Sequence, residues 1–460
     1  NPVSSEVYIL TPKPAAEPKL TGAKVFGVRP GSPFQHLVTA TGDRPMTFSA
    51  KGLPKGLKIN KKTGLITGVL TTKGSYKVTL FAKNAKGKAE RQFRIECGDQ
   101  IALTPPMGWN SWNCFAQEVS ADKVKRAANA MVSSGLINHG WTYINIDDFW
   151  ENHRDSKDPS LRGKLRDEAG YIIPNSRFVD MKLLADYVHG LGLKIGLYSS
   201  PGPWTCGGSA GSFGYEKQDA ESYAKWGFDY LKYDWCSYGN VINGLPENDP
   251  YKVSSLSYNG GSELETAKKP FIEMGKLLRE QKRDIVFSVC QYGMSDVWKW
   301  GGSVGGNCWR TTNDITDTWT SMKNIALDQD RSAPYAKPGN WNDPDMLIVG
   351  HVGWGNPHPS KLKPDEQYMH ISLWSLFAAP LLIGCDMEKL DDFTLNLLTN
   401  DEVIEVNQDP LGKQATCLHA IGDLRIYVKD LEDGSKAVGF CNFGLEKINM
   451  AYADFSKLGL

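Results

Sequence analysis

The chain has 460 residues, of which 41% are hydrophobic and 23% are charged, and this length predicts two or three domains rather than a single core. Basic and acidic residues both number 52, so bulk charge favours neither nucleic acid nor an anionic membrane as a partner. The 14 tryptophans and 18 tyrosines suit a large aromatic core and also stacking against neutral sugars, and composition does not decide between them.

Cysteine usage and the N-terminus bear on where the protein works. Nine cysteines are spread along the chain without a CxxC pair or zinc-type spacing, and their odd number leaves at least one free thiol. No apolar run approaches the ~20 residues of a membrane-spanning helix. The sequence begins Asn1-Pro2 without a basic, apolar leader, which predicts a processed or trimmed N-terminus, and it lacks Asn-x-Ser/Thr acceptors. We therefore expect an exported bacterial protein, periplasmic or extracellular.

The first hundred residues predict an arm followed by a small β-domain. Residues 1–19 are rich in proline, alanine and lysine, which is typical of an extended arm. Residues 20–100 contain short alternating runs between Gly, Pro and Asn turns, which predict an antiparallel β-sandwich. Residues 52–68 resemble the immunoglobulin-like domains attached to bacterial carbohydrate-active enzymes. That resemblance implies a spacer or packing module in preference to a sugar-binding one.

Between residues 101 and 410, strand-like and helix-like segments alternate. The predicted strands are residues 107–112, 143–148, 193–198, 230–236, 284–290, 308–312, 341–346 and 379–387. The predicted helices begin at residue 120 and then cover residues 179–190, 220–227, 272–282, 322–328 and 368–378. Eight strands with intervening helices over roughly 300 residues predict a (β/α)8 TIM barrel.

Residues 411–460 return to short alternating runs and predict the start of a C-terminal antiparallel β-domain. About 50 residues are few for an independent sandwich. We therefore expect this domain to be incomplete, and the fold class to be multidomain: a central TIM barrel with an immunoglobulin-like β-sandwich before it and a partial β-domain after it.

Polar and aromatic side chains gather where the predicted barrel strands end, which is the working face of such a barrel. They are Trp112, Asp147, Asp148, Tyr198, Lys232, Asp234, Gln291, Asp314 and Asp345. Lys232 and Asp234 lie two residues apart on one strand, so both project to the same side. Taken alone, that pair fits a buried structural ion pair as well as a catalytic site. The convergence of several acids at one face favours a site.

The absence of several motifs argues against a catalytic zinc site and a serine-histidine-aspartate triad. No HxH, HExxH or Cys/His cluster occurs, and no Gly-x-Ser-x-Gly directly follows a predicted strand. The glycine-rich residues 207–214 and 301–306 lack phosphate-loop spacing and predict flexible loops. The remaining carboxylates suit glycosidic cleavage, in which one acid protonates the leaving oxygen while the other attacks or activates water. Solvated aspartates that cap barrel loops are the competing interpretation. We expect no metal and no cofactor.

Six segments in sequence resemble glycoside hydrolase family 27, the α-galactosidase family, and the similarity extends over roughly residues 101–460. They are residues 103–112, 146–150, 232–236, 309–315, 341–347 and 399–403. The resemblance implies a retaining double displacement in which Asp234 is the nucleophile and Asp314 the acid/base, with carboxyl groups ~5 Å apart. It also implies that Lys232 and Arg310 supply positive charge beside these acids and contact sugar hydroxyls.

The resemblance further assigns substrate contacts. Asp147 and Asp148 match the pair that accepts hydrogen bonds from the 4- and 6-hydroxyls of galactose, and Trp112 should cover the apolar face of the ring. Cys206 and Cys236 match a disulfide beside the 2-hydroxyl, with two buried thiols as the alternative. The remaining expected substrate contacts are Tyr198, Gln291 and Asp345.

The expected reaction is removal of terminal α-linked D-galactose from an oligo- or polysaccharide. Two features depart from the family pattern: Gln291 stands where many members have glutamate, which bears on recognition near the 2-hydroxyl, and polar insertions occupy residues 154–174 and 242–269. Within the family the alternative is a β-L-arabinopyranosidase or another exo-glycosidase, against which Asp148 argues. Outside it the alternative is a non-catalytic carbohydrate-binding protein on a barrel, against which Asp234 and Asp314 argue. The oligomeric state does not follow from the sequence.

Overall fold

The computed structural model describes residues 7–242 and 264–458, and these form a β-sandwich, a central barrel and a small C-terminal sheet in chain order. The predicted multidomain fold class is confirmed. Residues 1–6 of the predicted arm and 243–263 of the second predicted insertion lie outside the described residues, as do residues 459–460. The domain boundaries that we place after residues 19, 100 and 410 stay predictions.

The sandwich is built from nine strands. They are β1 (Lys19–Leu20), β2 (Val25–Val28), β3 (Pro33–Leu37), β4 (Ala40–Thr41), β5 (Thr47–Lys51), β6 (Leu57–Ile59), β7 (Leu65–Val69), β8 (Gly74–Lys83) and β9 (Lys88–Cys97). One sheet has the order β2-β9-β8-β5 and the other β3-β7-β6, while β1 pairs with β4. All pairs are antiparallel except β2 with β9, so the predicted pattern holds with one parallel edge. Phe34, Val78 and Ile95 lie in the core between the sheets.

Eight parallel strands form the barrel sheet, in the order β16-β15-β14-β13-β12-β11-β10-β19. Their bounds are β10 (Met107–Asn110), β11 (Tyr143–Asn145), β12 (Lys194–Ser199), β13 (Tyr230–Asp234), β14 (Val286–Cys290), β15 (Cys308–Arg310), β16 (Trp341–Asp343) and β19 (Leu381–Ile383), with a hairpin of β17 (His351–Val352) and β18 (His358–Pro359) before the last. A parallel bridge from Leu347, just after β16, to Ile383 of β19 joins the two ends. The sheet therefore closes on itself.

Twelve α-helices are found among the described residues. They are α1 (Trp112–Phe115), α2 (Ala121–Ser133), α3 (Met181–Gly190), α4 (Glu216–Trp226), α5 (Tyr238–Ile242), α6 (Leu264–Glu280), α7 (Val297–Trp300), α8 (Trp319–Leu327), α9 (Pro364–Leu376), α10 (Asp392–Leu398), α11 (Asp401–Asn407) and α12 (Phe455–Leu458). Ser120 and Asp180 cap α2 and α3 by accepting from backbone N–H groups of the first turn, as their residue types predict. None of the described helices has the length and apolar character needed to cross a bilayer.

The sandwich lies against the end of the barrel where the strands begin. Arg29 pairs with Asp284, two residues before β14, with its Nε 2.6 Å from Oδ1. Gln35 Nε2 donates to the carbonyl oxygen of Leu193, immediately before β12, at 2.8 Å. The opposite end, where the strands finish, is the end that carries the predicted site residues.

The C-terminal sheet consists of β20 (Thr416–Ile421), β21 (Leu424–Asp430) and β22 (Lys436–Asn442) in antiparallel order. It packs on the barrel through Tyr427, whose ring centroid lies 5.4 Å from that of Phe377 just after α9. Lys323 of α8 adds a hydrogen bond of 2.9 Å to the carbonyl oxygen of Phe443. The predicted antiparallel character is correct, and β20 is a strand that the sequence did not single out.

Candidate active site

Asp234 is the last residue of β13 and lies at the centre of the site. Its neighbours in the strand, Tyr230, Leu231 and Tyr233, are buried, so the strand is fixed from both faces and the carboxyl position is rigid. Oδ2 accepts a hydrogen bond from the Tyr198 hydroxyl at 3.1 Å, and Oδ1 accepts one from the Tyr292 hydroxyl. Burial raises the pKa of Asp234, while the charge of Lys232 and the Tyr292 hydrogen bond oppose that rise.

Lys232 does project into the site beside Asp234, but its ion-pair partner is a different residue. Its Nζ lies 2.8 Å from Asp147 Oδ2, which also accepts from Asn110 Nδ2 at 2.9 Å. Burial alone would lower the pKa of Lys232, but the charge of Asp147 outweighs it and raises the pKa. Lys232 is therefore a fixed cation between two strand ends, paired with Asp147.

Asp147 and Asp148 lie just beyond β11, on the loop that follows it. Asp148 is 1% exposed, and its two oxygens accept from the backbone N–H groups of Phe149 at 2.8 Å and Gly207 at 2.7 Å. Burial raises the pKa of Asp148 to about 7. A Cβ at Gly207 would lie 2.9 Å from Asp148 Oδ2, so only glycine permits this approach. Trp112 begins α1 and stacks on Phe149, with ring centroids 6.2 Å apart and planes within 6°.

Arg310, the last residue of β15, links two acids on the other side of the site. Its Nη2 lies 3.0 Å from Asp314 Oδ1 and 3.1 Å from Asp345 Oδ2. Arg310 and Asp345 are buried, whereas the Asp314 side chain is 67% exposed. Partial desolvation beside Arg310 would raise the pKa of Asp314, but the charge of Arg310 prevails and lowers it. Burial raises the pKa of Asp345, against the influence of the same arginine.

Cys206 and Cys236 form a disulfide, with Cα atoms 4.8 Å apart, as the family resemblance implied. Ligand atoms of these two residues and of Asp234 lie within 4.8 Å of one another. Because both sulfurs are bonded to each other, neither offers the thiolate that a metal would need. The disulfide instead walls the nucleophile side, with Cys236 Sγ 3.1 Å from the Tyr198 hydroxyl.

Gln291 follows β14 and is fully buried. Its amide Oε1 and Nε2 find no hydrogen-bond partner among residues 7–242 and 264–458. An unpaired buried amide costs stability unless a ligand satisfies it, so its position suits a substrate contact.

The contacts organise the predicted residues into two groups. The first surrounds Asp234 and contains Asp147, Tyr198, Lys232, Cys206 and Cys236; the second joins Arg310, Asp314 and Asp345. The charge of Asp314 raises the pKa of Asp234, which places the two carboxyls within electrostatic reach. Trp112, Asp148 and Gln291 belong to neither group by the contacts described above.

Two residues of the site were not predicted from the sequence. Asn110 ends β10 and holds Asp147, and Tyr292 contacts the candidate nucleophile itself. Asn110 lies within residues 103–112, one of the segments that resemble the family. Tyr292 directly follows Gln291, a predicted substrate contact. The signal that could have found them is their position at strand ends, where any polar side chain of a barrel is a candidate.

Comparisons with known proteins agree with this arrangement. A family model of α-galactosidase A matches residues 104–409, and one of Ig domains matches residues 17–97. Alpha-galactosidase 2 of Arabidopsis thaliana is 42% identical over 371 residues, which cover 80% of this chain and 83% of the relative. The solved structure of an α-galactosidase/melibiase candidate from Bacteroides fragilis is 38% identical, has a TM-score of 0.83, and is matched over 93% of this chain and 87% of that one.

A more distant solved structure bears on the alternative substrate. A β-L-arabinopyranosidase from Geobacillus stearothermophilus is 26% identical with a TM-score of 0.61, matched over 74% of this chain and 85% of that one. Its barrel is similar, but its identity to this chain is lower than that of the two relatives named above.

Proposed function

The chain belongs to the α-galactosidase family, glycoside hydrolase family 27, and from this membership we propose that Asp234 and Asp314 together release terminal α-linked D-galactose with retention. The observation that carries the assignment of roles is the contrast between the two acids. Asp234 is buried and oriented by two hydroxyl donors, as a nucleophile should be, whereas Asp314 is largely open and so can meet a leaving group of variable size.

In the first step an Asp234 oxygen attacks the anomeric carbon, the bond from that carbon to the leaving oxygen breaks, and Asp314 transfers its proton to that oxygen. In the second step Asp314 takes a proton from water, the water oxygen bonds to the anomeric carbon, and the electron pair of the bond to Asp234 returns to that carboxylate. Lys232 and Arg310 lie beside the two acids and balance the negative charge of the site.

Sugar recognition is proposed to rest on Asp147 and Asp148. Lys232 and Asn110 hold the Asp147 carboxyl in place, and its oxygens can accept from an axial 4-hydroxyl. Asp148 would accept a hydrogen bond from the 6-hydroxyl of galactose. A β-L-arabinopyranoside has no 6-hydroxyl, so when it binds, Asp148 would lack that donor. Galactosides are therefore the substrates that this pocket favours.

We also propose that the protein works outside the cytoplasm. The disulfide beside the nucleophile supports this location because such bonds persist in oxidising compartments.

The test uses isosteric or truncating changes of the two acids. With a nitrophenyl α-galactoside, Asp234→Asn should lower turnover by roughly 10⁴-fold or more, and Asp314→Ala by roughly 10²- to 10⁴-fold. Azide should restore part of the Asp314→Ala rate and yield the α-galactosyl azide, because it enters on the face that water uses. Asp186→Asn, which removes an exposed carboxylate paired with Lys182 on α3, is the matched control and should keep wild-type turnover.

The stereochemistry of the product tests the mechanism independently. NMR of the first-formed galactose from wild type should show the α-anomer. If the β-anomer forms first, or if Asp234→Asn keeps its activity, the assignment of Asp234 as nucleophile is wrong.

A further inference from the structure

The Tyr292 hydroxyl is held against the candidate nucleophile by features of its own segment. Tyr292 lies two residues after β14 with a φ of 54°, a left-handed conformation that is uncommon for a bulky residue. Its ring lies below Arg310, whose guanidinium carbon is 5.7 Å from the ring centroid. Its hydroxyl oxygen is 3.8 Å from Cys206 Sγ and donates to Asp234 Oδ1. The backbone conformation of Tyr292 and its contacts with Arg310 and Cys206 therefore place this hydroxyl beside Asp234.

The Tyr292 hydroxyl stays protonated and therefore remains a hydrogen-bond donor. Burial and the neighbouring Asp234 carboxylate raise the pKa of Tyr292 well above its usual value, so the proton stays on the tyrosine. Tyr198 occupies the other carboxylate oxygen at 3.1 Å, so each oxygen of Asp234 has one fixed donor. A carboxylate oxygen has a second lone pair, which remains for attack.

A hydrogen bond of this kind distinguishes the two states of the nucleophile. Donation to an ionised carboxylate is about twice as strong as donation to a neutral acceptor. During catalysis Asp234 alternates between a carboxylate and a neutral ester with the sugar. The Tyr292 hydroxyl therefore stabilises the free carboxylate more than the ester, and the asymmetry favours the step that regenerates the carboxylate.

We propose that Tyr292 is a positioning residue that speeds the second step, the release of galactose from Asp234, by stabilising the returning negative charge. The proposal rests on the function proposed above for Asp234. As water bonds to the anomeric carbon and gives its proton to Asp314, the bond from that carbon to Asp234 breaks, and its electron pair goes to the oxygens that Tyr198 and Tyr292 face. Tyr292 keeps its own proton throughout.

The test is Tyr292→Phe with a dinitrophenyl α-galactoside, whose good leaving group makes the second step limit turnover. We expect kcat to fall roughly 10-fold, KM to fall in parallel, and kcat/KM to stay within about 3-fold of wild type. In stopped flow, the burst of dinitrophenol should keep its rate constant while the slope after it decreases. Tyr187→Phe, which removes an exposed hydroxyl bonded to Asn129 at 2.8 Å, is the control and should match wild type.

Two results would overturn the proposal. An unchanged kcat would show that the hydroxyl does not contribute to the second step. A loss of kcat/KM as large as the loss of kcat, without a slower phase after the burst, would show that the residue only maintains the shape of the site. Neither result affects the role of Asp234, which Asp234→Asn and the product anomer test separately.

Discussion

Replacing Asp148 with asparagine should change the pH dependence of stability, because this carboxyl is buried with a pKa of about 7. Its pKa in the unfolded chain is ~3.9. Since the folded-state pKa is raised, the fold favours the protonated acid. The stability contributed by that preference is complete below pH ~4 and is lost as the pH rises to ~7. Above pH 7 the carboxylate is ionised in both states and the loss is complete.

The magnitude follows from the size of the shift. A difference of about 3 pK units corresponds to ~4 kcal/mol, of which ~2.3 kcal/mol falls between pH 5 and pH 7. Asparagine has no such titration, but its NH₂ group replaces one of the oxygens that accept from Phe149 and Gly207, at a constant cost of ~1–3 kcal/mol. The variant should therefore gain ~2.3 kcal/mol relative to wild type as the pH rises from 5 to 7, and nothing further above pH 8.

Differential scanning calorimetry at pH 5, 6, 7 and 8 measures this effect. For a barrel of this size ~1 kcal/mol corresponds to about 2 °C, so the Tm difference between variant and wild type should change by about 5 °C in the variant's favour from pH 5 to pH 7. Asp186→Asn removes an exposed carboxylate and should give a pH-independent difference. Parallel Tm curves for Asp148→Asn and wild type would refute the reasoning, because they would show that Asp148 does not titrate in this range.

Two further changes test the interface and the substrate pocket. Arg29→Ala breaks the partly buried pair with Asp284, so calorimetry should show a loss of about 3 kcal/mol in the free energy of unfolding, with turnover at 25 °C unchanged. Lys73→Ala breaks an exposed pair with Asp99 and should lower the free energy of unfolding far less. Equal losses in the two variants would contradict the structural role of the Arg29–Asp284 pair. Gln291→Ala should raise KM for an aryl α-galactoside roughly 10-fold without lowering Tm, since its amide has no partner within the described residues. The corresponding 2-deoxygalactoside should show no such rise, and equal effects on both sugars would contradict a contact with the 2-hydroxyl.

Much of the fold was predictable because its signals are local. Ser120 and Asp180 mark helix starts by their capping chemistry, and the period of two in β13 places Lys232 and Asp234 on one side. The predicted strands run past the observed ends at several places, for example to Trp112, which begins α1. The chain leaves the sheet there to form the loops that carry the site, and alternation does not show where a strand becomes a loop.

What could not be predicted depends on contacts between distant segments. The partner of Lys232 is Asp147, 85 residues earlier, and only the barrel brings the two together, since the ends of β11 and β13 meet there with β12 between them. Nine cysteines allow many pairings, so the Cys206–Cys236 bond followed from the family resemblance and not from spacing. The contact of Tyr292 with Asp234 depends on a left-handed backbone at one residue, which sequence patterns do not reveal.

The environments of the two acids also constrain how the proposed reaction can run. The first step needs Asp234 ionised and Asp314 protonated, yet burial raises the pKa of Asp234 and Arg310 lowers that of Asp314. In the free enzyme the working combination is therefore the less populated one, and acidic pH increases the protonated fraction of Asp314. A general acid of lower pKa transfers its proton more readily once it holds it. The site thus lowers the fraction of enzyme in the reactive protonation state, but it makes Asp314 a stronger acid. The Tyr292 hydrogen bond favours the ionised form of Asp234 and so raises that fraction.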